Sequence, residues 1–166
     1  MTSQIKELPE AIACKGIRVH TTNHAEISHE TAKLGRLWQK FYQNHMGDLP
    51  EDQDIYGIYH NYESADLVGT FDVVAGWEVG NEQAQPDNAA VANKSNLVTI
   101  AIPAGKYLVF SETGNMPNTV MNAWEKAWEY FNDPSCEYTR SYNVDFEHYI
   151  DGNLEYGQVY LYIGIE

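Results

Sequence analysis

The stretch DFEHYI at residues 145–150, followed by QVYLYIGIE at residues 158–166, decides how this sequence is interpreted. Both stretches alternate between two kinds of side chain, as strands do when successive residues point to opposite faces of a sheet. A loop around Gly152 separates them, so the spacing predicts an antiparallel hairpin. Its second strand carries an aliphatic face, which should pack against a helix; that face consists of Val159, Leu161, Ile163 and Ile165.

The polar and aromatic residues of this hairpin point to a binding site. Tyr160 and Tyr162 lie opposite the aliphatic face, while Glu147 shares a face with Tyr149. If these two faces match across the hairpin, the Glu147 carboxylate lies among tyrosine rings. Such a carboxylate is costly without a counter-charge. An organic cation would supply the charge, with cation–π attraction of about 0.5–2 kcal/mol per ring. The alternative is that Glu147 faces water on an open sheet, and spacing leaves both interpretations open.

The rest of the chain predicts strand–helix–strand–strand, given twice, in one domain that spans residues 1–166. Residues 1–15 are set apart as an N-terminal extension, because the first strand is predicted at 16–22. Apolar residues at three- and four-residue spacing predict two main helices. They are Leu34, Leu37, Trp38, Phe41 and Tyr42 in the first helix, and Val120, Trp124, Ala127, Trp128 and Phe131 in the second.

Strands at 55–62 and 71–79 complete the first half of this pattern. Alternation places Tyr56, Ile58, His60 and Tyr62 on one face of the earlier strand, so Tyr56 and Tyr59 point to opposite faces. In the later strand Trp77 shares a face with Phe71, which suits either a core or a pocket wall. Strands at 97–102 and 106–111 open the second half, and the fold class is therefore α+β with an antiparallel sheet.

The charge balance excludes several classes of function. The chain has 166 residues, with 24 acids against 10 bases and a formal net charge of -14. Nucleic-acid binding and attachment to anionic membranes both need a basic surface, so neither is expected. The N-terminus has no secretory signal pattern, which predicts a cytoplasmic location. A cationic partner is favoured, although an acidic surface that only keeps the protein soluble would give the same balance.

No cofactor or metal site is expected from the sequence. Cys14 and Cys136 are far apart and form no CxxC motif. The six histidines are scattered, without an HExxH pattern. No glycine loop suited to phosphates and no GxSxG motif is present, so no catalytic residue is assigned.

Several segments together resemble the GyrI-like effector-binding domain of AraC- and MerR-type transcription activators. Their order and spacing carry the resemblance, which runs from about residue 16 to the end of the chain. The segments are IYGIY (55–59), DVVAGWEV (72–79), IPAGKYLVF (102–110), the helix at 124–131, DFEHY (145–149) and VYLYI (159–163).

The resemblance implies a fold and a ligand class. It implies two halves related by a pseudo-twofold axis, with a ligand pocket between them. It also implies that Glu147 pairs with a lipophilic, aromatic cation, as the equivalent Glu does in multidrug-binding members. The pocket walls are predicted to be Tyr149, Tyr160, Tyr162, Tyr56 and Trp77.

Three functions remain open at this point. The first is sensing or sequestration of such cations, with control of transcription requiring a separate DNA-binding regulator as partner. The second is a hydrolase of reactive small-molecule toxins, in which Glu147 activates water and a pocket tyrosine serves as acid. The third is inhibition of a macromolecule by the acidic surface. The sequence does not identify the natural ligand or the oligomeric state.

Overall fold

A computed structural model of the protein describes residues 3–27, 32–44, 47, 49, 53–63, 69–79, 97–116, 118–152 and 155–166. Its eight strands are β1 (Ser3–Leu8), β2 (Ile12–Thr22), β3 (Ile55–His60), β4 (Thr70–Glu78), β5 (Leu97–Ile102), β6 (Gly105–Asn115), β7 (Arg140–Tyr149) and β8 (Tyr156–Ile165). Its helices are α1 (Asn23–Ile27), α2 (Leu34–Asn44) and α3 (Asn118–Asn132), with a 3₁₀ turn at Ile150–Gly152.

The strands form one antiparallel sheet in the order β1-β6-β8-β7-β3-β4-β2-β5. From the centre outward, the first half contributes β3, β4 and β2, and the second half contributes β7, β8 and β6. The two halves therefore have the same strand order outward from the β3–β7 junction, and each has one main helix. This confirms the predicted α+β class and the two strand–helix–strand–strand halves.

The outermost strands tie the two halves together. β1 precedes the first half in sequence but pairs with β6 of the second, and β5 precedes the second half but pairs with β2 of the first. Residues 1–15, predicted to be an N-terminal extension before the first strand, contain β1 and the start of β2. Residues 4–7 of β1 are exposed, so hydrophobic alternation could not reveal a strand that backbone hydrogen bonds hold at an edge.

Both main helices pack on the same face of the sheet. The aliphatic face of β8 meets α3 there, as predicted, with Leu161 and Ile163 fully buried beneath Ala123 and Ala127. On α2, Leu37 and Phe41 are buried, whereas Tyr42, which belongs to the same apolar pattern, is 54% exposed. None of the helices within the described residues has the length and apolar character needed to cross a membrane.

The other face of the sheet carries a second buried cluster. Tyr56, Phe146 and Tyr162 belong to it, together with aliphatic residues such as Ile58 and Val109. Both faces of the central strands are therefore buried. Glu147 lies on the face that the helices cover.

Candidate functional site

Glu147 lies near the centre of the sheet, on the face that the helices cover. In β7 it stands opposite Gly57 of β3 on one side and Leu161 of β8 on the other. Only 3% of the residue is exposed. The strand register thus places a carboxylate on the core face, where an apolar side chain would be expected.

Three neutral groups donate hydrogen bonds to this carboxylate. The Tyr59 hydroxyl and the Trp124 indole N–H donate to Oε2 at 2.8 and 2.6 Å. The Tyr149 hydroxyl donates to Oε1 at 2.7 Å. These donors come from β3, α3 and β7, so both halves of the fold hold the carboxylate in place.

Gly57 makes the space that the carboxylate occupies. A Cβ atom built on Gly57 would lie 2.7 Å from Oε1 of Glu147 and 2.9 Å from a ring carbon of Trp38. Both distances are shorter than a side-chain contact allows. A glycine directly opposite Glu147 is therefore a steric requirement of the site.

Burial dominates the electrostatics of Glu147. Desolvation raises the pKa of its carboxyl above the ordinary value of 4.5, and the three hydrogen bonds oppose that rise only in part. Desolvation also holds the pKa of the Tyr59 and Tyr149 phenols well above their usual value, and the nearby Glu147 charge adds to this. Both phenols consequently stay protonated and act as donors. The described residues offer Glu147 no positively charged partner within ion-pair distance.

A cavity of about 1070 Å³ opens between the two main helices and reaches Glu147. Its walls come from both halves of the fold, which agrees with the implied pocket between the halves. The lining includes aromatic rings from every side, contributed by Trp38, Tyr42, Tyr59, Tyr62, Phe71, Trp124, Trp128 and Tyr149. The charged residues of the lining are Glu26, Glu125, Glu147, Glu155 and Arg140.

The single positive charge in this part of the lining is already neutralised. Arg140 donates to Oδ2 of Asp145 at 2.7 Å, and these side chains are only 7% and 0% exposed. The Tyr62 hydroxyl donates to the same oxygen at 2.5 Å, and the Gly164 N–H donates to Oδ1. The remaining acids therefore leave the described lining with an excess of negative charge.

Three of the predicted wall residues lie on the opposite face of the sheet from Glu147. Register pairs Phe146 with Tyr162 and His148 with Tyr160, so Tyr160 and Tyr162 point away from Glu147. Phe146 and Tyr162 stack at 4.3 Å between ring centroids. Tyr56, opposite His148, belongs to the same face. The expectation of a shared face was wrong because Glu147 pairs with Leu161, within the aliphatic face that the helices cover.

The other predicted wall residues lie on the helix-covered face. Tyr149 lines the cavity and contacts Glu147 directly. Trp77 packs against the core cluster on this face, with its ring 6.0 Å from that of Phe41, but it is not among the described residues that line the cavity. Whether Glu147 and Tyr149 contact a ligand stays a prediction.

Sequence reasoning missed two of the three donors to Glu147. Tyr59 follows Gly57 by two residues, so strand parity puts it on the Glu147 face once register is known. Trp124 belongs to the apolar pattern that predicts the second helix, and it does pack, with its ring 4.8 Å from that of Tyr59. A buried indole N–H usually has a hydrogen-bond acceptor, and this requirement is the signal that could have identified Trp124 as a donor.

No group of three or more His, Cys, Asp and Glu side chains within the described residues is placed to hold a metal ion. The ionisable groups nearest the cavity floor are instead a carboxylate, an ion pair and phenols, which suit recognition of an organic molecule by charge and shape.

A family model for Cass2, described as an integron-associated effector binding protein, matches residues 4–165 of the chain. No curated protein matches the sequence.

Solved structures show the same fold. An integron cassette protein from the mobile metagenome of Vibrio cholerae is 34% identical, with a TM-score of 0.81, and the match covers 100% of this chain and 97% of that one. SAV2435, solved with bound tetraphenylphosphonium, is 21% identical over 100% of this chain and 94% of its own, with a TM-score of 0.65. The C-terminal domain of EcmrR is 16% identical over 99% and 96%, with a TM-score of 0.55.

Proposed function

Because the chain belongs to the Cass2 family of integron-associated effector-binding proteins, with a GyrI-like fold, we propose that it binds lipophilic aromatic cations. The cation enters the cavity between the helices, and the Glu147 carboxylate neutralises its charge. Binding serves to sense or sequester the compound, without turnover. The role is that of a binding protein in the cytoplasm, with any effect on transcription passing through a separate DNA-binding regulator.

The buried carboxylate of Glu147 carries this proposal. It has three hydrogen-bond donors, yet all three are neutral, so its charge remains uncompensated in the described part of the chain. A buried charge without an opposite charge is unfavourable, and a bound cation would remove that cost. The ligand thus supplies the one component that the site lacks.

The shape and lining of the cavity support the same ligand class. A volume of about 1070 Å³ lies just above the range of roughly 300–1000 Å³ for small-molecule sites, which suits compounds of several rings. Trp38, Tyr59 and Trp124 line the cavity, and the last two also donate hydrogen bonds to the carboxylate. Rings of this kind attract a cation by about 0.5–2 kcal/mol each.

The comparison with SAV2435 supports the choice of a first ligand. That protein was solved with tetraphenylphosphonium, a lipophilic cation of four phenyl rings, and it shares the fold across the whole chain. The present chain offers an aromatic cavity with a carboxylate at its floor, so the same compound is the natural probe.

The test compares two ions of the same shape and opposite charge. Calorimetry should give a measurable affinity for tetraphenylphosphonium and none for tetraphenylborate. In Glu147→Gln the phosphonium affinity should fall by about 2–5 kcal/mol, as when one member of a buried charge pair is removed. Glu129→Gln, on the exposed side of α3, is the matched control and should keep the affinity within about 1 kcal/mol.

Two results would overturn the proposal. Equal binding of the borate would remove charge selectivity, and an unchanged phosphonium affinity in Glu147→Gln would place the carboxylate outside the site. Turnover of electrophilic esters or epoxides that Glu147→Gln abolishes would instead support the hydrolase interpretation.

A further inference from the structure

A second, smaller cavity lies on the outer side of α2, away from the Glu147 cavity. It has a volume of about 380 Å³ and is bounded by α2, β2 and the start of β5. We call it the basic groove, and its described lining residues are Ile17, Arg18, Val19, Lys33, Arg36, Leu37, Lys40 and Val98.

Positive charge is concentrated in this groove against the balance of the whole chain. The protein has 10 lysines and arginines and a net charge of -14, yet Lys33, Arg36 and Lys40 all line this one groove. A fourth lining base, Arg18, alternates with Ile17 and Val19 along β2, so strand parity directs its side chain to the opposite face of the sheet. No acidic residue is among its described lining residues. The groove is therefore locally suited to an anion despite the acidic balance of the chain.

The arrangement along α2 is unfavourable for the free protein. Lys33 directly precedes α2, and Arg36 and Lys40 follow it on the helix at spacings of three and four residues; all three are exposed. Like charges at these spacings destabilise a helix. Residues 34–44 contain no acid to offset them, and none of the described residues forms an ion pair with these three side chains. An anion bound in the groove would remove this repulsion.

The floor of the groove adds an apolar requirement. Ile17 and Leu37 are buried beneath it, and Val19 contributes further aliphatic surface. The Lys33 ammonium donates to the His20 carbonyl at 2.8 Å, which holds this charge at the rim. A suitable ligand therefore has a compact apolar body and an anionic head.

We propose that the basic groove is a second binding site, for a small soluble anion with an aromatic or aliphatic body. Its volume lies at the lower end of the range of roughly 300–1000 Å³ for small-molecule sites, which suits one or two rings. The sulfonate, phosphate or carboxylate head contacts Arg36 and Lys40, and the body covers the aliphatic floor.

The two sites lie on opposite sides of one helix. Leu34, Trp38 and Tyr42 of α2 line the Glu147 cavity, whereas Arg36, Leu37 and Lys40 line the groove. The proposed anion site is therefore separate from the cation site and does not depend on Glu147.

The experiment uses naphthalene-2-sulfonate and its neutral analogue naphthalene-2-sulfonamide as probes, with affinities measured by calorimetry on the full chain. The sulfonate should bind and the sulfonamide should bind at least tenfold more weakly. The double variant Arg36→Gln/Lys40→Gln should weaken sulfonate binding about three- to tenfold, since each exposed charge contact contributes modestly. The variant Lys106→Gln/Lys126→Gln, which removes two exposed bases elsewhere, should retain the affinity.

Tetraphenylphosphonium and Glu147→Gln separate this proposal from the function of the large cavity. Saturation with the phosphonium should not displace the sulfonate, and Glu147→Gln should leave sulfonate affinity unchanged. Displacement, equal binding of the sulfonamide, equal weakening in both double variants, or no sulfonate binding would overturn the proposal. Co-sedimentation with phosphatidylglycerol vesicles without sulfonate binding would also overturn it, in favour of a membrane surface.

Discussion

Trp124 on α3 donates its indole N–H to Oε2 of Glu147 on β7 at 2.6 Å. This bond fixes the helix of the second half against the carboxylate at the junction of the two halves. The same oxygen accepts from Tyr59 of the first half at 2.8 Å, so a single atom joins both halves of the fold. A ligand that competes for this oxygen would act on the packing of α3 as well as on the charge of Glu147.

Replacing Trp124 by Phe should weaken the site while keeping most of the apolar contact. The carboxylate would lose a hydrogen bond, and bonds to charged groups contribute about 1.5–3 kcal/mol. The pKa of Glu147 should rise further, because the hydrogen bond from Trp124 lowers this pKa in the wild type. Cation binding measured across pH should therefore require a higher pH than in the wild type. An identical pH profile would show that this bond does not stabilise the ionised form.

Tyr59 and Tyr56 offer a matched comparison within one strand. They lie on opposite faces of β3, and only the Tyr59 hydroxyl donates to Glu147; the Tyr56 hydroxyl lies 3.4 Å from Glu78. Tyr59→Phe should lower affinity for tetraphenylphosphonium by about 1.5–3 kcal/mol, because the ionised Glu147 carboxylate loses a hydrogen bond. Tyr56→Phe should leave it unchanged by calorimetry. The opposite ranking would restore the sequence-based assignment of Tyr56 to the pocket.

The pH dependence of cation binding follows from the raised pKa of Glu147. Binding needs the ionised carboxylate, and desolvation raises the pKa of this group in the free protein above 4.5. Affinity should therefore weaken as pH falls through that raised value, and ligand binding near it should release protons. Calorimetry in buffers of different ionisation enthalpy measures this release. A release that persists in Glu147→Gln would assign it to another group.

The sequence predicted the fold correctly where alternating apolar residues form a buried strand face. The aliphatic residues Leu161 and Ile163 predicted their own helix contact, because apolar area must be buried somewhere. Spacing also identified Glu147 as the residue of interest. It could not give the register between β7 and β8, since both faces of that hairpin carry residues that pack well.

Local backbone geometry explains another departure from simple alternation. Asn61 has a φ of 56°, in the left-handed region, so the chain turns just after β3. Tyr62 consequently lines the cavity and bonds Asp145, although alternation groups it with Tyr56 and Ile58 on the opposite face. An Asn tolerates this conformation better than most residues, but the sequence does not show that it adopts it.

Gly57→Ala tests the steric requirement opposite Glu147. The added Cβ would lie 2.7 Å from Oε1 of Glu147, which three hydrogen bonds hold, and 2.9 Å from Trp38. Overpacking of this kind costs about 1–3 kcal/mol, and cation binding should be lost with it. Gly47→Ala is the matched control, since its Cβ would meet nothing within 4 Å and Gly47 is not among the described residues that line the cavity. Urea unfolding and calorimetry check both variants, and a Gly57→Ala protein with normal affinity would contradict this account.

Glu147→Gln should raise the stability of the free protein at neutral pH. The folded protein holds the Glu147 proton more tightly than the unfolded chain, because burial raises its pKa above 4.5. As pH increases from the ordinary pKa of Glu to the raised pKa of Glu147, the carboxyl ionises first in the unfolded chain. The wild type therefore loses stability over this range and does not regain it at higher pH. Glutamine cannot ionise: its carbonyl can accept from Tyr59 and Trp124, while the Tyr149 hydroxyl rotates to accept from its amide.

The difference in unfolding free energy between variant and wild type should therefore be small near pH 4, grow with pH and level off. Urea unfolding at a series of pH values measures it, and saturating tetraphenylphosphonium should reverse the order of the two proteins at pH 7. A pH-independent difference would mean that the Glu147 charge is already compensated in the free protein, and the reason for a cationic ligand would be lost.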